Sequence, residues 1–191
     1  MGRNLADKKS LVREKYIEVR KSLLADQVEQ KSEMIQEKLF KLPEFIGANV
    51  VHTYVSMSNV NEVSTRGIIQ YCFDQQKKIV VPKMEKEGIL SHHLIDSFED
   101  LETNEWGVDE PKKENPFPLD EFSIILVPMV STDQLKNRLG YGMGFYDRFL
   151  SKVNTFNVGL AFDCQLSENT LPVEPFDKKM DVVITESKNL S

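Results

Sequence analysis

The chain is short of the residues that build metal centres and disulfides. Its 191 residues include two cysteines, Cys72 and Cys164, and three histidines, His52, His92 and His93. No CxxC or HxxxH pair occurs, so the residues offer neither a disulfide framework nor a His/Cys zinc site. Both cysteines have apolar neighbours and read as small buried side chains. Long apolar runs are missing too: none approaches the roughly 18 residues of a membrane span. The opening MGRNLADKKSLVREK has no apolar core of the signal-peptide kind, and Ala6 stands where myristoylation would need Ser or Thr. An excess of basic charge is also absent. Lys and Arg number 24 against 30 Asp and Glu, a net charge of −6. That argues against a broad grip on nucleic acid and leaves room for a local basic pocket around one anion. On these absences a soluble, cytoplasmic chain with no nucleic-acid and no membrane partner is expected. It is expected to be a monomer, since no exposed apolar seam stands out. Its chemistry falls to carboxylates, cations, hydroxyls and backbone.

What is present is ordinary for a globular protein. Hydrophobic residues make up 40% and charged residues 28%, and the length suits one domain over 1–191 at about 150 residues per domain. Residues 1–8 and 187–191 read as frayed ends. Residues 5–41 read as helix, with an apolar stripe through Leu11, Val12, Tyr16, Val19, Leu23 and Leu24. Asp26 is a candidate cap for a second helix (Val28, Met34, Ile35, Leu39, Phe40), which Pro43 closes. A strand from Val50 to Val55, a helix over 64–76 and a strand over 78–82 ended by Pro82 follow. After a strand read from Leu90 to Ile95, where apolar and polar residues partly alternate, residues 104–118 read as an ordered loop. The run 122–128 and the short segments 158–162 and 181–185 are predominantly apolar, as buried strands are. Alternating strands and helices predict an α/β class, with a mostly parallel sheet covered on both faces.

The densest chemistry lies in Arg138-Leu139-Gly140-Tyr141-Gly142-Met143-Gly144-Phe145-Tyr146-Asp147. Three glycines within five residues, between a buried strand and a helix, let backbone N–H groups approach an anion. Arg138 can fork onto phosphate oxygens, and Asp147 can face a divalent cation on the same phosphates. The same loop also suits a plain strand-to-helix turn with an acidic first turn. GxGxG matches neither the dinucleotide fingerprint nor the Walker loop. Lys9 and Arg13, four apart near a helix start, read as a solvated face or as a pair awaiting an anion. Glu62 reads as a helix-start residue or as a carboxylate for the N–H groups of a heterocycle. Trp106 reads as a loop anchor or a stacking platform.

Taken together, these blocks resemble the 5-formyltetrahydrofolate cyclo-ligase (5,10-methenyltetrahydrofolate synthetase) family. The segment IILVPMVSTDQLKNRLGYGMGFYDRFL is similar to the family pattern LVPGVAFDxxGxRLGxGxGYYDRxL. Lys9-x-x-x-Arg13, YVSM…NEVST around Glu62, Val81-Pro82-Lys83, Trp106-Gly107…Glu110-Pro111, Gly159-Leu-Ala-Phe162 and LPVEPFDKKMDVVITE follow in the family's order. The resemblance implies a three-layer α/β/α sandwich, similar to the sugar-phosphate isomerase and CoA-transferase group. It implies that 5-formyltetrahydrofolate is cyclised to 5,10-methenyltetrahydrofolate while ATP, with Mg²⁺, becomes ADP and phosphate. The formyl oxygen would attack the γ-phosphate to give an iminophosphate, on which N10 closes.

By matching position, the resemblance gives Lys9, Arg13 and the stretch Arg138 to Tyr146 to ATP. It gives Val55, Glu62, Trp106 and Tyr141 to Phe145 to the folate, and Asp147 and Asp177 to Mg²⁺. Arg138, Tyr146 and Asp147 would carry catalysis. The chain departs from the pattern at Phe145 (usually Tyr), Phe176 (commonly His), Lys136 (a turn glycine) and Met129 (often Gly). Two other readings use the same residues. One is a non-catalytic folate- or nucleotide-binding relative, suggested by Phe145 and Phe176; the other is a sugar-phosphate isomerase-like enzyme, which would need neither Lys9, Arg13 nor Asp147.

Overall fold

The computed structural model describes residues 4–105 and 107–191. Asn4 caps α1 (Leu5–Lys21), its side chain accepting from the Asp7 N–H at 2.8 Å. After α2 (Ala25–Leu39) and a single turn, α3 (Pro43–Ile46), the chain enters β1 (Val50–His52). It continues through α4 (Arg66–Asp74), β2 (Lys78–Met84), β3 (Leu90–Ile95) and the small pair β4 (Leu101–Thr103) and β5 (Asp109–Pro111). Then come β6 (Ile124–Val127), β7 (Ser131–Asp133), β8 (Arg138–Leu139), α5 (Phe145–Leu150) and β9 (Phe156–Leu160). Last are β10 (Leu166–Ser167), β11 (Val182–Ile184) and β12 (Asn189–Leu190).

Seven strands form one sheet in the order β12-β11-β9-β6-β1-β2-β3. The pairs from β11 through to β2 are parallel, and only the outermost strands, β12 and β3, run antiparallel. Alternation along each strand divides the core. Val51, Ile79, Ile124, Leu126, Val158 and Ile184 face one cluster, where Ile35 and Leu39 of α2 and Ile68 and Ile69 of α4 cover them. Val50, Val80, Ile125, Val127 and Val183 face the other, closed by Phe149 and Leu150 of α5 and by Phe122. Buried on both faces, the central strands are largely apolar, as the sequence reading expects, although His52 of β1 and Asn157 of β9 are polar. The second covering layer is thin, a six-residue helix plus irregular chain.

Several local expectations need correction. The buried face of α1 is Lys9, Tyr16 and Arg20, while Leu11 is exposed; the helix serves a polar cavity, and the apolar stripe misjudged what it packs on. Asp26 lies inside the first turn of α2, and its cap is Leu24, whose N–H reaches Gln27 Oε1 at 2.9 Å. Pro43 opens α3 instead of closing α2. Strand β2 runs past Pro82, which pairs with His92. Its neighbour β1 stops at the His52–Val80 pair, so the missing N–H falls where no second strand needs it. The ends read as frayed hold structure: α1 begins at Leu5, and Asn189–Leu190 pair with β11. Cys164 is half-buried, and both thiols are free.

The outer edge of β3 is covered by the chain itself. Leu94 N–H reaches Asn115 O, and Phe117 N–H reaches His92 O, each at 2.9 Å, around a single bridge between His93 and Pro116.

Candidate active site

Strand order in the sheet reverses at β1, which is followed outward by β2 on one side and flanked by the later β6 on the other. Between two parallel strands whose connections leave to opposite sides a crevice opens at their carboxyl ends. A cavity of about 700 Å³ lies there, taking Tyr54 and Val55 from the end of β1 and Pro128 from the end of β6. Lys9 and Arg13 of α1, Glu62, Arg138 to Asp147, and Glu174, Phe176 and Asp177 complete its wall.

One side of this cavity is cationic and rich in glycine. Arg13 Nε donates to Gly140 O at 2.8 Å, laying its guanidinium along the loop. Gly142 has φ +103°, and a Cβ there would stand 3.1 Å from Arg13 Cζ. Gly144 has φ +68° and forms the N-terminal boundary of α5. At these two positions the backbone conformation and the close approach of arginine both demand glycine. Arg138 is buried; its Nη2 donates to Asp147 Oδ2 at 2.8 Å and its Nη1 to Pro128 O at 3.3 Å. Its Nε finds no hydrogen-bond partner among the described residues. A buried guanidinium N–H without a partner, beside backbone that only glycine can form, fits a phosphate-bearing ligand. Because α5 (Phe145–Leu150) is short, its dipole adds little to what the cations offer an anion.

Lys9 bridges the chain ends, its Nζ 2.7 Å from Glu174 Oε2 and 2.6 Å from Asp177 Oδ2. Burial opposes its charge, but hydrogen bonds and the negative charges of Asp177 and Glu174 outweigh that, so its pKa stands above the ordinary lysine value. Asp147 and Asp177 thus each hold a cation of the cradle, and Asp147 Oδ1 also accepts from the Lys178 N–H at 3.2 Å. Among the described residues no three His, Cys, Asp or Glu side chains form a metal cage. A divalent cation that arrives on phosphates takes only one or two carboxylates from protein, a demand that Asp147 and Asp177 can meet.

The opposite side centres on Glu62, buried to 5% exposure. Its Oε2 accepts from the Met57 N–H at 2.8 Å and its Oε1 from Tyr141 Oη at 2.6 Å. Burial raises its pKa, while those two hydrogen bonds and the charge of Arg20 pull it back down. Burial also pushes the phenols of Tyr141 and Tyr146 up, followed by the nearby charge of Glu62. Tyr146 Oη is enclosed without a hydrogen-bond partner among the described residues.

The cavity therefore gathers nearly every residue singled out from sequence: Lys9, Arg13, Val55, Glu62, Arg138 to Asp147 and Asp177. Trp106 lies outside the described residues. Among the departures, Phe176 stands exposed at the rim with its ring 5.6 Å from Lys9 Nζ. Phe145 is half-buried, 5.8 Å from Arg148 Cζ. Lys136 has φ +61°, the conformation a turn glycine adopts freely. Met129 is buried, and it is the side chain nearest to where a Cβ on Gly159 would stand. Sequence reasoning gave no role to Arg20, Glu110 or Glu174, the last two met only inside family blocks; both line the cavity. Arg20 had a legible signal, since 9, 13, 16 and 20 share one face of a helix.

Comparison with known proteins agrees with this geometry. The profile of the 5-formyltetrahydrofolate cyclo-ligase family matches residues 5–186. A 5-formyltetrahydrofolate cyclo-ligase of Haemophilus influenzae is 33% identical, over 89% of this chain and 93% of that protein. A probable one from Schizosaccharomyces pombe is 30% identical, over 86% and 89%. The solution structure of Aquifex aeolicus 5,10-methenyltetrahydrofolate synthetase superposes with a TM-score of 0.83 at 29% identity, covering 95% of this chain and 91% of that one. A crevice lined by the residues of the family pattern, on the fold of a family structure, leads to one assignment: the chain belongs to the 5-formyltetrahydrofolate cyclo-ligase family.

Proposed function

We propose that this protein cyclises 5-formyltetrahydrofolate to 5,10-methenyltetrahydrofolate, using ATP with Mg²⁺ and releasing ADP and phosphate. The observation that carries the reading is the division of one cavity. Arg13, Arg138 and the glycine loop form a cationic wall, Glu62 forms a buried carboxylate wall, and Tyr141 of that same loop hydrogen-bonds Glu62 at 2.6 Å. A loop that touches both walls is suited to bring a phosphate and a pterin together.

In this reading Lys9, Arg13 and the backbone from Arg138 to Tyr146 hold the triphosphate, and the free Arg138 Nε–H takes a phosphate oxygen. Glu62 accepts from pterin N–H groups, with Val55, Trp106 and Tyr141 to Phe145 packing on the folate. The formyl oxygen attacks the γ-phosphorus, ADP leaves, and N10 closes on the activated carbon as phosphate departs. Little covalent work falls to the protein; alignment of the oxygen with phosphorus and neutralisation of spreading charge supply the rate. Arg138 provides the neutralisation, and Tyr146 Oη stands ready to donate to an oxygen. Asp147 and Asp177 would hold Mg²⁺, which screens the phosphate charges. The expected setting is the cytoplasm and the expected state a monomer.

The test is a rise at the methenyltetrahydrofolate absorbance band that requires protein, 5-formyltetrahydrofolate and Mg²⁺·ATP together. No rise, with folate or ATP still binding in calorimetry, would refute the reaction and leave a binding relative.

A further inference from the structure

Arg20 is 1% exposed, yet no carboxylate pairs with it directly among the described residues. Its Nε donates to Val60 O at 2.8 Å, its Nη1 to Met129 O at 3.3 Å and its Nη2 to Tyr141 Oη at 2.6 Å. Those acceptors belong to three separate loops: the one that carries Glu62, the one that leaves β6, and the glycine loop. Tyr141 in turn donates its hydroxyl hydrogen bond to Glu62 Oε1 at 2.6 Å. The buried cation meets its counter-charge through one phenol.

We propose that Arg20 is a positioning residue which, through Tyr141, orients the Glu62 carboxylate and locks the glycine loop against the pterin side of the cavity. The inference rests on the folate-binding role proposed for Glu62. Arginine suits this task because its planar fork reaches three acceptors at once in fixed directions. Tyr141, with a neutral phenol at any working pH, has one proton to give; Arg20 occupies its oxygen as acceptor, so that proton must point at Glu62. The groups facing Glu62 are Tyr141, the Met57 N–H, Arg20 beyond the phenol, and the hydroxyl-bearing rings of Tyr54 and Tyr146. Arg20 is the one cation among them, so cutting the relay leaves the carboxylate's charge in a buried place with one N–H.

Carbon-13 labelling of glutamate side chains reads this without turnover, the Glu62 resonance being assigned by its loss in Glu62→Gln. The Glu62 titration midpoint should rise by about one to two pH units in Tyr141→Phe, the equivalent of a lost charge-assisted hydrogen bond. Arg20→Gln should raise it similarly. Tyr141→Phe removes the phenol's own bond to Glu62, so Arg20 is tested by comparing backgrounds. Because Arg20 acts through the phenol, Arg20→Gln should add little in the Tyr141→Phe background. A midpoint unmoved by Arg20→Gln alone, or an equal rise in both backgrounds, overturns the proposal. Should Arg20→Gln not fold, Arg20→Lys takes its place: it keeps the charge and loses the planar fork, and a midpoint it leaves unmoved overturns the proposal. In parallel, the acid limb of the 5-formyltetrahydrofolate KM profile should move upward with the midpoint. A wild-type protein without turnover would defeat the cyclisation reading, while the titration would still test the relay.

Discussion

Beneath the sheet, between β1, β3 and α5, His52 Nε2 lies 3.0 Å from His92 Nδ1. Phe122 and Phe149 pack around both rings, with centroids 4.2 to 5.6 Å away. His52 Nδ1 has no hydrogen-bond partner among the described residues. Charging either ring would bury a cation among aromatics, so the pair is held neutral. Burial, then the charges of His93 and Lys152, pushes His92 down to about 4. Burial and then the charge of His92 push His52 well below the usual imidazole value, and burial, then Lys83, lowers His93. The unfolded chain takes up protons below about pH 6.5, whereas the folded chain resists until its depressed values are reached. Stability is therefore complete above pH 6.5 and is lost as pH falls toward 4. At about 1.4 kcal/mol per unit, His92 alone accounts for roughly 3 kcal/mol by pH 4, a large part of the 5–15 kcal/mol typical of a whole domain. Urea unfolding between pH 7 and pH 5, above the range where most carboxylates titrate, would measure the slope. The reasoning fails if the unfolding free energy is flat over that range, or if His92→Gln keeps the wild-type slope.

Three substitutions probe other parts. Asp147→Asn frees Arg138 and removes a proposed Mg²⁺ ligand, so ATP-dependent turnover should fall by at least about tenfold; unchanged steady-state kinetics would remove both roles. Gly142→Ala puts a Cβ at φ +103° and 3.1 Å from Arg13 Cζ, which should raise the KM for ATP and, through backbone strain of about 1–3 kcal/mol, lower the melting temperature by several degrees. Gly159→Ala sets a Cβ 2.1 Å from Met129 Cε and 3.1 Å from Met180 Cγ inside the core. It should cost about 1–3 kcal/mol in chemical denaturation, and Met129→Ala in the same chain should recover part of it.

Legibility from sequence followed how local each signal was. The central strands were readable because parallel strands buried on both faces must be apolar throughout, as Ile124 to Val127 are. The glycine loop was readable because unusual backbone needs a particular residue. The pairs β4–β5, β7–β8 and β7–β10 were not foreseen: their strands are two or three residues long, too short for any period. The helical face of Lys9, Tyr16 and Arg20 was misjudged because helix periodicity was sought in apolar residues, and this helix buries polar ones. The embrace of Lys9 by Glu174 and Asp177 spans 165 and 168 positions, a distance over which spacing carries no information. Pro82 misled because the penalty for a missing N–H depends on which neighbours a strand has, a property of the sheet and not of the strand.

The cover that 115–117 lays along β3 also bears on how the folded molecule meets its own kind. A bare antiparallel edge would present a row of open donors and acceptors, a template on which another chain can add a strand. Here Leu94 N–H and His92 O are already engaged, and Asn115 Nδ2 also reaches Leu94 O at 3.1 Å. The covering segment is itself a poor template, because Pro116 and Pro118 bring no N–H to its outer side. At the far margin β12 is two residues long, too little ladder to recruit a partner. Both margins of the sheet are closed by features built into the chain, so molecules at high concentration can collide edge to edge without propagating a shared sheet.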